Sequence, residues 1–335
     1  MRQTILNFPK QFKVGIRAAK DAEFVKKIAA DNIIICGMGG SALPGDILKT
    51  ANLSLKLTKL PIFVHRNYGL PNEANKNSLI VCISYSGNTE ETISAFNEAK
   101  TKGLKIIVIS SGGKLINLAK RRKIPFALVP EGIQPRCALG YQFSALAKLL
   151  SRMGLIKNID RELLSLEKNL QPKKFKEKGK KLAEKLKNSI PIIYGSGNFA
   201  LLAKIWKIKF NENSKILSFF NFFPELNHNE MVGIAENKIK NLNKFLKVII
   251  LRDKSGDKKN LKRIKITSEI LEKKGINVIF VDIPILNPQR REKFFDKLFS
   301  NILLSDWVSY YLALLQKINP EPVKTVEDFK ERLAR

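Results

Sequence analysis

Short apolar runs alternate with helix-length amphipathic stretches through both halves of the chain, and this alternation restricts the possible folds more than any other feature. Strand-length runs lie at 32–36, 61–65, 79–84, 105–110 and 125–129, with helical patterns at 41–52, 89–102, 114–122 and 136–152 between or after most of them. Strands spaced by helices of this length pair in parallel, because a helix-sized crossover returns the chain to the same end of the sheet. Gly, Asn, Ser and Pro occupy the joints, as turn chemistry requires.

The plan then recurs. IPIIYGSGNFALLAKIWK (190–207) repeats the strand, Gly-x-Gly turn and helix of NIIICGMGGSALPGDILK (32–49), and KVIILRDKSGDKKNLKRI (247–264) echoes SLIVCISYSGNTEETISA (78–95). An internal duplication follows: an α/β fold of two tandem domains, each a mainly parallel sheet flanked by helices. The expected division is 1–153 and 154–335, the second part opening with the charged helical segment near 155–188. In the second copy the serine- and threonine-rich turn has become RDKSGDKKN.

Composition narrows the function class. No unbroken apolar run is long enough to span a bilayer and MRQTILNFPKQFK carries no signal-peptide core, so a cytoplasmic, non-membrane protein is expected. Three cysteines, Cys36, Cys82 and Cys137, form no CxxC or Cys/His cluster, which excludes a zinc site or a disulfide framework by pattern. The net charge of +30 suggests a nucleic-acid partner, but its distribution argues against one. Windows 151–190 (12 Lys/Arg, 5 Asp/Glu) and 238–277 (13 against 4) hold the largest excess. They exceed a uniform spread only about two- to threefold, without the aromatic interleaving that stacks bases. A generally basic, solvated surface fits better.

Two turns carry ligand chemistry. GMGGSA (37–42) follows a strand and opens a helix, but it lacks the third glycine of a dinucleotide fingerprint. The next strand ends in His65-Arg66 rather than in an acidic residue for a ribose. What the segment offers is close backbone approach at Gly40 and the Ser41 hydroxyl beside a helix N-terminus. SYSGNTEET (84–92) offers more: hydroxyls at Ser84, Ser86 and Thr89, a glycine turn at Gly87, and the positive end of a helix dipole, with no basic residue. That pattern fits a phosphate cradle. It equally fits an ordinary cap in which Asn88 and Glu91 form an approximate capping box.

Taken in order, GMGGSALPGD, SYSGNTEET, QPRCALGY, NENSK and FPELNHNEMVG resemble the bifunctional phosphoglucose/phosphomannose isomerase family, built from two sugar isomerase (SIS) domains. The resemblance runs from about residue 30 into the tail. SGNTEET alone indicates only an SIS domain, and the combination with NENSK and ELNHNE is the specific part.

The resemblance implies an aldose–ketose isomerase that interconverts glucose 6-phosphate, and mannose 6-phosphate with it, with fructose 6-phosphate through a cis-enediolate. Gly40, Ser41, Ser84, Ser86 and Thr89 would hold the phosphate. Glu212, which by pattern alone reads rather as an exposed helix-end carboxylate, would by this resemblance be the base moving a proton between C2 and C1. Arg136, otherwise a surface ion-pair residue, would steady the enediolate charge. His228 and Lys330 would open the pyranose ring, with His228 supplied to the neighbouring subunit of a homodimer; His65 has no such context. Such a reaction requires no metal or organic cofactor, because the substrate carbonyl acidifies the adjacent carbon. The tail departs from the family pattern at Asn319 and Glu321, where aspartate and threonine are common. Threonine there is associated with accepting both epimers, so glucose 6-phosphate is the better-supported substrate. An amino-sugar phosphate enzyme or a sugar-phosphate-binding regulator would share the cradle without needing both Glu212 and His228.

Overall fold

The sequence of Ile33-Ile34-Ile35-Cys36 is apolar without alternation, and a strand of that kind is stable only when both of its faces are covered. In the computed structural model, which describes residues 1–23, 25–283 and 294–333, this strand lies inside a five-stranded sheet, paired on both sides. The strands are β1 (Ile33–Cys36), β2 (Ile62–His65), β3 (Leu79–Ile83), β4 (Lys105–Ser110) and β5 (Phe126–Leu128), in the order β2-β1-β3-β4-β5. Every pair is parallel, and Ile33 is in register with Ile62 on one side and Leu79 on the other. β1 and β3 are buried throughout. One sheet face packs Ile34, Ile80, Cys82 and Val108 against Ala95, Phe96 and Ala99 of the helix Glu90–Thr101 and Leu115 of the helix Gly113–Arg121. The isoleucine, valine, leucine and phenylalanine side chains among them each contribute about 1.5–3 kcal/mol on burial.

The second sheet contains β6 (Ile190–Ser196), β7 (Phe219–Phe223), β8 (Leu246–Arg252) and β9 (Asn277–Asp282), all parallel in the order β7-β6-β8-β9. Allowing for strand numbering, this is the first sheet without its fifth strand, so the duplication read from the sequence is a duplication of topology. A short 3₁₀ turn follows the equivalent strand in each copy, Gly39–Ser41 after β1 and Gly197–Phe199 after β6.

The described residues group into two compact units. One holds Leu6–Gln171 and the first turn of the helix Phe294–Leu315; the other holds Met1–Ile5, the chain from Pro172 and the rest of that helix. The charged segment near 155–188 is therefore shared, with the helix Asp160–Asn169 in the first unit and Pro172–Leu186 in the second.

The helix Phe294–Leu315 corrects the expectation that no segment reaches membrane-spanning length. Counting unbroken apolar runs missed it, because Asp296, Lys297 and Asp306 interrupt the run; by length and mean hydropathy it qualifies. Its most apolar window is nevertheless 78% buried within the protein. Ser300, Asn301, Ser305, Asp306 and Ser309 are all buried too, the packing of a core helix.

Candidate active site

In the first unit the site is built where β1 and β3 end. Gly87 turns the chain with φ +71°, and a Cβ there would lie 1.8 Å from the Gly112 carbonyl oxygen, so only glycine fits between the turns after β3 and β4. Ser84 is fully buried and its Oγ lies 2.8 Å from Thr89 Oγ1, while also accepting from Gly87 N at 3.1 Å. Ser41 Oγ accepts from Tyr85 N at 3.0 Å, which ties the two ligand turns together. Ser86 is exposed, with its Oγ accepting from Asn88 N at 3.3 Å.

The capping-box reading of this turn does not hold. The helix begins at Glu90 with Thr89 as its N-cap, and Thr89 makes no side-chain bond to the first helical turn. Asn88 is committed elsewhere: its Oδ1 accepts from Lys114 N at 3.0 Å, capping the neighbouring helix Gly113–Arg121. The first-turn N–H groups of Glu90–Thr101 thus keep their positive potential beside the Ser84 and Thr89 hydroxyls.

The duplicate turn has filled itself. In RDKSGDKKN, Asp257 caps its helix by accepting from Asn260 N at 2.9 Å. Asp253 accepts from Ser255 N and Oγ and stands 3.2 Å from Lys297 Nζ. Two carboxylates sit where the first copy presents hydroxyls and open N–H groups, which repels an anion. Arg66, which follows the strand end where a ribose-binding carboxylate would stand, pairs with Asp46.

Arg136 lies in the 3₁₀ turn Pro135–Cys137 and is only 1% exposed, so the surface ion-pair reading fails. A Cβ on Gly40 would lie 2.9 Å from the Arg136 backbone, so the glycine allows the GMGGSA turn to seat directly against it. Two residues that sequence reasoning missed fix this segment. Gln11, buried on the helix Gln11–Lys20, donates to Cys137 O at 2.8 Å and accepts from Gly140 N at 3.0 Å. Tyr85 donates to Pro130 O at 2.8 Å, and burial pushes its phenol up to about 12. Gln11 had one signal: it falls on the apolar face of FPKQFKVGI. Gly40, Ser41, Ser84, Thr89 and Arg136 are accordingly one cluster in one unit.

The second unit holds Glu212, His228 and Lys330. Glu212 is half-buried in a π-helical stretch, Phe210–Ser214, that extends the helix Ala200–Lys209. Such insertions recur at functional sites because they redirect a side chain out of the helical repeat. His228 ends the 3₁₀ turn Glu225–His228 and is exposed. Around it, Asn229 donates to Glu225 at 2.8 Å, and Glu230 accepts from Tyr194 at 2.8 Å and Asn221 at 2.6 Å. Since the helix before β7 runs against the strand direction, Glu212 and His228 fall at opposite ends of β7, a span of about 13 Å for five residues. The structure does not bring these two together within one chain. Lys330 is exposed on the helix Lys324–Leu333, which buries no residue. His65, as read from its lack of context, only approaches Tyr68 O at 3.3 Å.

Comparison with known proteins agrees with the two-unit architecture. Residues 28–126 match the SIS domain family, and 175–333 match the bacterial phospho-glucose isomerase C-terminal SIS domain. The chain is 38% identical to a bifunctional phosphoglucose/phosphomannose isomerase of Caldicellulosiruptor bescii, over 100% of this chain and 99% of that one. It is 37% identical to the protein of the same name from Aquifex aeolicus, over 90% of each. Among solved structures, the C-terminal domain of glucosamine-fructose-6-phosphate aminotransferase from Francisella tularensis superposes with a TM-score of 0.73, covering 96% of this chain and 98% of that one. At 16% identity that likeness concerns the fold alone.

Proposed function

The chain belongs to the bifunctional phosphoglucose/phosphomannose isomerase family, and on that premise we propose that it interconverts glucose 6-phosphate and mannose 6-phosphate with fructose 6-phosphate. The observation that carries the substrate class is the turn after β3. Its helix N-terminus is not capped by its own side chain and is lined by the Ser84 and Thr89 hydroxyls. A phosphate dianion is held there by hydroxyls, N–H groups and the helix dipole, with Gly40, Ser41 and Ser86 contributing. Removing the two inner hydroxyls (Ser84→Ala with Thr89→Val) is expected to raise KM for both aldose phosphates about 10-fold or more, at about 1 kcal/mol per lost bond. Steady-state kinetics checks this; an unchanged KM would remove the phosphate from this turn.

The chemistry is one proton transfer. Arg136 and Glu212 act on the open-chain sugar: Glu212 takes the C2 proton and returns it to C1, while Arg136 holds the negative charge of the cis-enediolate. The two aldoses differ only at C2, and both lose that difference in the enediolate, so one base serves both. His228 and Lys330 open the pyranose ring beforehand. Cys36 and Cys82, buried free thiols, fit a reducing compartment, and the cytoplasm is the one we assign.

His228 serves the site of a second copy in a homodimer. Its separation from Glu212 by the length of β7 supports this, as does the aromatic row on that strand: Phe219, Phe220 and Phe222 are 48%, 38% and 44% exposed. An exposed apolar edge of this kind suits association rather than solvent. Complementation tests it. Glu212→Gln and His228→Ala subunits, each inactive alone, are expected to regain about a quarter of wild-type activity on random mixing, since half the dimers then hold one intact site of two. No recovery in verified mixed dimers would place His228 in its own subunit's site.

A further inference from the structure

The π-turn that carries Glu212 is fastened by a polar ladder buried between the helices Ala200–Lys209 and Phe294–Leu315. Trp206 Nε1 donates to Asn301 Oδ1 at 2.7 Å. One turn on, Lys209 Nζ stands 2.6 Å from Asp306 Oδ1, a charge pair with side chains 1% and 5% exposed. The last rung is at the turn itself: Asn213 Nδ2 donates to Ser309 Oγ at 2.9 Å, and Ser214 Oγ donates to Ser309 O at 2.9 Å. Asn213, Ser214 and Ser309 are fully buried.

Apolar residues of the same volume would hold two helices together at least as well as a buried ion pair and amide–hydroxyl bonds. What polar rungs add is register, since each bond forms at only one setting of the two helices. The rung at Ser309 grips the two residues that follow Glu212 and leaves Glu212 itself half-buried.

We propose that Ser309 is a positioning residue for Glu212, locking the π-turn so that the carboxylate stays aligned with C1 and C2 of the sugar. The inference rests on the assignment of Glu212 as the base. A base displaced by about 1 Å loses up to roughly 100-fold in rate, because proton transfer demands near-contact geometry.

The test compares Ser309→Ala with Asn301→Ala, which removes the rung farthest from Glu212. Ser309→Ala is expected to lower kcat about 10- to 100-fold with KM within about twofold of wild type. Asn301→Ala is expected to lower thermal stability and leave kcat within about twofold. Ser309→Cys, which keeps the volume and offers only a weak acceptor, should reproduce the Ser309→Ala result in a folded protein. A second readout is independent of the active fraction: in deuterium oxide, Ser309→Ala should yield fructose 6-phosphate with a larger share of solvent deuterium at C1, because a loosely held base exchanges its proton before returning it. Folded Ser309→Ala and Ser309→Cys proteins with wild-type kcat and deuterium share would overturn the proposal. Wild-type turnover by Glu212→Gln would instead overturn the assignment of the base.

Discussion

Glu212→Gln is expected to lower kcat for both glucose 6-phosphate and mannose 6-phosphate by about 10²–10⁴-fold, with KM little changed. The substitution keeps shape and hydrogen-bonding capacity but removes the carboxylate proposed to accept the C2 proton. The turn should survive it, because Asn213 and Ser214 hold the backbone through Ser309 whatever residue stands at 212. On the proposed mechanism the loss is parallel for the two aldoses, since both would pass through the same enediolate. A coupled assay on each sugar measures it; a loss confined to one would mean that the epimers use different bases.

The second large effect is at Arg136. Arg136→Met retains much of the side-chain volume in a position that is 1% exposed but removes the positive charge. If that charge steadies the enediolate, kcat falls about 10²–10³-fold, the usual scale for a pre-placed electrostatic group in a dry site. Arg136→Lys is expected to recover only part of this, because the ammonium lacks the planar fork that meets two oxygens at once. The loss should fall mainly on kcat, since the charge appears in the transition state and not in the bound sugar. A rise in KM alone, with kcat intact, would make Arg136 a substrate clamp.

The layers and the hydroxyl-rich turn could be read from the sequence because each is encoded locally. Unbroken runs such as Ile33–Cys36 require a sheet covered on both faces, and the strand-turn-helix repeat at 32–49 and 190–207 carries the duplication. The hydroxyl pattern at Ser84, Ser86 and Thr89 is contiguous, so its chemistry shows in nine residues. What removed the capping-box reading was not local: Asn88 is drawn away by Lys114 N, twenty-six residues on. The supports of the candidate catalytic groups are more distant still. Gln11 meets the Arg136 turn across 126 residues and Ser309 meets Asn213 across 96, and no spacing rule within a helix announces either contact. The long helix Phe294–Leu315 was misjudged for a related reason. Its polar residues look like interruptions in sequence and become a buried contact stripe only when Ala200–Ser214 lies beside it.

The central claim is that one enediolate joins two aldose phosphates to one ketose phosphate. Its most direct measurement is a coupled assay of the purified wild-type protein, in the presence of a chelator, that follows fructose 6-phosphate formed separately from glucose 6-phosphate and from mannose 6-phosphate. The account predicts turnover of both. Turnover of neither sugar would contradict it.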